Sequence, residues 1–132
     1  MRHFAECSYE EQVARLTATA QQVAATYGLN VDQITLLVYV NNAVFEVQTS
    51  SGRYILRMHR PHYKTPEIIR SELIWLHALH NEAALCVPLP VKTAAGEWLA
   101  QGVVEGLDRP LTCVLFHALE GAPLAAAEYS LA

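Results

Sequence analysis

Two stretches constrain this chain more than any others: Arg53-Tyr54-Ile55-Leu56-Arg57-Met58-His59-Arg60-Pro61 and Arg70-Ser71-Glu72-Leu73. The first reads as a β-strand over residues 54–58. Strand side chains alternate, so Arg57 shares a face with Ile55 and His59, while Leu56 and Met58 face the other way. The second lies inside a helix whose apolar stripe is Ile69, Leu73, Leu76 and Leu79/His80. The chain therefore puts one cation on a strand and one carboxylate on the next helix. A solvated reading stands beside this one: Arg57 snorkels outward as Arg53 and Arg60 do, and Glu72 is an ordinary helix carboxylate like Glu67 or Glu82.

The rest of the chain fits around that pair. Ser8 and Glu11 form a capping box for a helix running to Tyr27, with Val13, Leu16, Ala20 and Val23 at helical spacing and Gly28 as its stop. Residues 34–40 and 44–48 read as the first two strands, with Asn41-Asn42 at the turn between them. Thr49-Ser50-Ser51-Gly52 is the polar turn of a second hairpin. Residues 59–64 read as a loop, Thr65 as a helix N-cap and Pro66 as its first turn, with the helix ending near Asn81. Val87-Pro88-Leu89-Pro90 is extended; strands follow at 97–101 and 112–116, with Asp108-Arg109-Pro110 as a turn. The fold class expected is α+β: an antiparallel sheet of about five strands with flanking helices, the helices on one side.

Composition limits the function classes. The chain has 132 residues, one domain's worth, with a net charge of −4, which argues against a nucleic-acid surface. Apolar residues make up 52% and charged residues 17%, an apolar balance for so small a body, which fits a lobe that packs on a partner and equally an ordinary compact core. Cys7, Cys86 and Cys113 form no CxxC pair, so reduced cysteines in the cytoplasm are expected. No apolar run approaches ~18 residues, so no membrane insertion is expected. Six histidines invite a metal reading, with His59 and His62 in a loop and His77 and His80 at i, i+3. Zinc wants three or four ligands, and no H-E-x-x-H or G-x-S-x-G occurs, so no metal site is expected.

Five words occur in order: Asn42-Ala43-Val44-Phe45-Glu46-Val47, Gly52-Arg53-Tyr54-Ile55-Leu56-Arg57, Ser71-Glu72-Leu73-Ile74-Trp75-Leu76, Val87-Pro88-Leu89-Pro90-Val91 and Val114-Leu115-Phe116-His117-Ala118-Leu119-Glu120-Gly121. Over residues 34–121 the chain thereby resembles the N-terminal lobe of the aminoglycoside phosphotransferase superfamily, which includes choline and homoserine kinases. The resemblance implies a protein-kinase-like N-lobe that binds ATP. Arg57 would grip the nucleotide phosphates, and Glu72 would position it. The turn at Asn41, Asn42 and Ala43 would lie over the phosphates, although it contains no glycine and on its own is an ordinary hairpin turn. Val44 and Ile55 would roof the adenine, or equally be plain core residues. The His117 carbonyl and Leu119 amide would pair with adenine, and Phe116 would sit at the back of the pocket.

The resemblance also implies what is missing. In the superfamily a His-Gly-Asp…Asn loop and a metal-binding Asp lie in a second lobe. Here the only aspartates are Asp32 and Asp108, and neither follows His-Gly. The expected organisation is a helical segment over 1–33, the nucleotide-binding lobe over 34–121, and the start of an interlobe linker over 122–132. Mg²⁺ ligands are expected in the missing C-terminal lobe, and the chain as given is expected to be incomplete and inactive. The alternative is a non-enzymatic truncated or split-gene product that binds nucleotide, its missing lobe or another copy of itself through an exposed apolar face. A third possibility is a generic α+β domain with an Arg–Glu pair. The phosphoryl acceptor is not legible.

Overall fold

A computed structural model describes residues 3–39, 42–59, 66–82 and 89–118. A short 3₁₀ turn (Phe4–Glu6) precedes helix α1 (Tyr9–Thr26). Strands β1 (Val31–Tyr39), β2 (Asn42–Thr49) and β3 (Gly52–His59) follow, then helix α2 (Pro66–Glu82), and then β4 (Leu89–Val91), β5 (Ala100–Gly102) and β6 (Leu111–His117). All pairings are antiparallel, in the order β1-β2-β3-β6-β4, with β5 also on β6. β4 lies beside the C-terminal half of β6 and β5 beside its N-terminal half.

Local chemistry sets the ends of α1. The Ser8 hydroxyl accepts from the Glu11 N–H at 3.2 Å, and Gly28 takes φ +78° just past the last turn. At the β2–β3 hairpin the Thr49 hydroxyl accepts from the Ser51 N–H and donates to the Gly52 carbonyl, and Thr49 pairs with Gly52. The expected elements are therefore present, although β1 starts earlier, at Val31, and Asn42 belongs to β2 and not to the turn before it; further differences follow. The sheet has six strands, because residues 89–91 pair with β6. The strand expected at 97–101 is the shorter β5. His59, expected in a loop, is the last residue of β3.

The helices also do not share one side of the sheet. Leu16, Ala20, Val23 and Ala24 of α1 pack with Phe45, Val47, Leu56, Met58, Cys113 and Leu115. Ile69 and Leu73 of α2 pack with Val44, Ile55, Val114 and Phe116. Ile55 and Leu56 are neighbours on one strand and so point to opposite faces. The sheet is thus a partition between two apolar layers, α1 on one face and α2 on the other, and Arg57 belongs to the α2 face.

Candidate functional site

Arg57 stands mid-strand in β3, opposite Val44 of β2 and Val114 of β6. It is only 5% exposed, an unusual place for a guanidinium. Removal from water lowers its pKa to about 10, while the Glu72 charge on α2 acts the other way. The side chain therefore stays cationic at neutral pH, in a setting where water screens it weakly. Two further groups hold it. Nε donates to His59 Nε2 at 3.0 Å, and the guanidinium carbon lies 5.2 Å from the centroid of the Phe116 ring.

Glu72 is partly buried on α2 beside the fully buried Leu73. Asn42 opens β2, is 5% exposed, and faces His59 in the register. Val44 and Ile55 are wholly buried with Ile69, Leu73, Val114 and Phe116. His117 ends β6 with an exposed ring 5.1 Å from Tyr54, and the Ala118 N–H donates to the Arg53 carbonyl at 3.1 Å. Asn41, Leu119 and residues 122–132 lie outside the described residues. The structure thus brings Arg57, Glu72 and Phe116 together and sets Asn42, Val44 and Ile55 on the same sheet face.

The residue that sequence reasoning missed is His59, 2% exposed and bonded to Arg57. Its spacing of two from Arg57 on one strand was the available signal. His77 stands edge-on to Trp98 at 5.3 Å. Among the described residues no group of three or more His, Cys, Asp or Glu gathers to hold a metal. None of the described helices is long and apolar enough to cross a membrane.

A sheet ordered β1-β2-β3-β6-β4, with a buried cation on its third strand and a carboxylate on the following helix, is the N-lobe architecture of kinase-like folds. The chain belongs to the phosphotransferase enzyme family (APH), whose family model matches residues 38–129. An uncharacterised protein of Deinococcus radiodurans is 34% identical over 118 residues, covering 86% of this chain and 34% of that protein. Among solved structures, a microcompartment-associated aminopropanol kinase is 33% identical, with TM-score 0.68, over 81% of this chain and 33% of its own. The amicoumacin kinase hAmiN, in complex with AMP-PNP, Ca²⁺ and Ami, shares the fold at 20% identity and TM-score 0.71, over 92% of this chain and 37% of its own. The chain spans about a third of the length of these relatives.

Proposed function

We propose that this chain is the nucleotide-binding lobe of a small-molecule kinase, the whole protein transferring the γ-phosphoryl of ATP to a hydroxyl of a small polar substrate. The observation that carries this is the buried Arg57, cationic, on β3 and within reach of the Glu72 charge. A guanidinium can hold two phosphate oxygens at once, and a dry setting strengthens that bond. Glu72 would keep the cation oriented, and Asn42 opens β2 opposite His59, two residues along β3 from Arg57. Phe116 and the main chain at His117 and Leu119 are where adenine would sit, under Val44 and Ile55. Two of the similar structures support this: both are kinases by name, and one was solved with AMP-PNP.

In this reading the described residues bind and position the nucleotide and carry no step of the chemistry. They do not fit a Mg²⁺ site, and the catalytic base is assigned to the second lobe along with the metal ligands. Positioning alone lowers a phosphoryl-transfer barrier only when the rest of the site is present. Turnover by this chain alone is therefore not expected. Residues 34–121 would form the lobe and 122–132 the start of the linker. Free Cys7 and Cys113 support a cytoplasmic setting. Exposed Ile68, Ile74 and Trp75 on α2 support a partner, either the second lobe or another copy.

The test is calorimetric titration of the chain with Mg-ATP and with adenosine. Saturable ATP binding is expected, with Arg57→Ala weakening ATP at least about tenfold and leaving adenosine unchanged. ATP affinity indifferent to Arg57→Ala, or no ATP binding by the parent chain, overturns the assignment.

A further inference from the structure

His59 has no part in the functional reading above, yet it is among the most buried side chains in the molecule, 2% exposed. An imidazole there needs a polar partner, because an apolar residue would fill the same space without the cost of stripping water from two ring nitrogens. One such partner is Arg57. The guanidinium Nε can only donate, so the 3.0 Å contact requires the lone pair of His59 Nε2 and hence a neutral ring.

We infer that His59 is the positioning residue for Arg57 and the reason an arginine, not a lysine, serves at this place. The inference rests on the reading of Arg57 as the phosphate-binding cation. A lysine ends in a point charge on a flexible stem and has no nitrogen where Nε sits. An arginine gripped at Nε by His59, with its face on the Phe116 ring, has its plane fixed. The direction of its outer N–H groups is then set before any ligand arrives, which removes an ordering cost from binding. The register supports the assignment, since His59 sits between Asn42 of β2 and Thr112 of β6, neither of them charged. Among the described residues, Glu72 on α2 is a charged group that acts on Arg57. His59 acts on Arg57 along their shared strand, and Glu72 acts from the helix.

The test compares Mg-ATP and adenosine binding for the parent chain and for Arg57→Ala, Arg57→Lys, His59→Leu, His59→Gln and the double variant Arg57→Lys/His59→Leu. His59→Leu is expected to weaken ATP about tenfold with adenosine unchanged, as loss of a hydrogen bond to a charged group should. Glutamine can still present an acceptor oxygen, so His59→Gln should recover most of that loss. In the Arg57→Lys background His59→Leu should add nothing, because the bond it removes is already gone. A merely structural histidine would lower ATP and adenosine binding alike and would do so equally in the lysine background; either result overturns the inference. If Arg57→Ala weakens ATP but His59→Leu does not, the positioning role falls and the phosphate role of Arg57 stands. If Arg57→Ala has no effect, the parent reading falls and takes this inference with it.

Discussion

At the scale of the residue, the balance to be explained is a guanidinium kept charged while 5% exposed. Desolvation pulls its pKa down and the Glu72 charge opposes that pull. Breaking one side of such a pair leaves the other uncompensated. Glu72→Gln is therefore expected to lower stability by about 1–2 kcal/mol, less than for a fully buried pair because Glu72 is only partly buried. The exposed Glu97 provides the comparison, and Glu97→Gln should stay within about 0.5 kcal/mol of the parent. Urea unfolding of the three proteins measures both. Equal effects would return Glu72 to the solvated reading. Arg57 and Glu72 were visible in the sequence because a charge inside an apolar strand and a carboxylate beside an apolar stripe are local anomalies. His59 was hidden by Pro61. A proline two residues on reads in a sequence as a loop signal, yet β3 runs on through His59.

At the scale of the element, α1 and β5 meet at a close joint. A Cβ added to Gly102 would meet Thr19 Cγ2 at 2.7 Å, Val23 Cγ2 at 3.1 Å and Cys113 Sγ at 3.3 Å. The Thr19 hydroxyl meanwhile donates to the Val103 carbonyl at 2.8 Å, pinning the helix to the strand's exit. Gly102→Ala should thus cost about 1–3 kcal/mol by overpacking. Adding Thr19→Ser should restore much of it, because serine keeps the hydroxyl and removes the offending methyl. Denaturation midpoints of the single and double variants decide this; no recovery in the double variant would place the strain elsewhere. The start and stop of α1 were legible, since Ser8, Glu11 and Gly28 act within a turn of the helix they bound. The side of the sheet taken by each helix was not. Periodicity identifies a buried stripe in α1 and in α2 but not which face of the sheet receives it. Alternation along β3, Ile55 to one layer and Leu56 to the other, becomes informative only once the strand pairings are known. β4 was equally hidden, because its three residues include Pro90 and the signal is too short to separate from an extended loop.

At the scale of the whole molecule, the sheet divides two environments that respond to pH in opposite senses. On the α1 side Tyr27 reaches toward the Cys113 carbonyl at 3.5 Å, and burial pushes the Cys113 thiol up to about 12 and raises the Tyr27 phenol as well. On the α2 side burial pulls Arg57 down to about 10. A group whose pKa is raised by folding holds its proton longer in the native chain than in the unfolded one. Stability is then full below the unfolded value, 9.0 for the thiol, and falls as the unfolded state ionises above it. A group whose pKa is lowered works the other way, so Arg57 begins to add stability only above about 10. Between pH 8 and pH 10 the α1 side should dominate, and the unfolding free energy should drop by about 1 kcal/mol from Cys113 alone. Urea titrations at the two pH values measure the drop, and Cys113→Ala should remove most of it. A stability that is flat or rising over this window, or a drop unchanged by Cys113→Ala, would mean that the layer beneath α1 admits water and that the two faces are not the separate environments their packing describes.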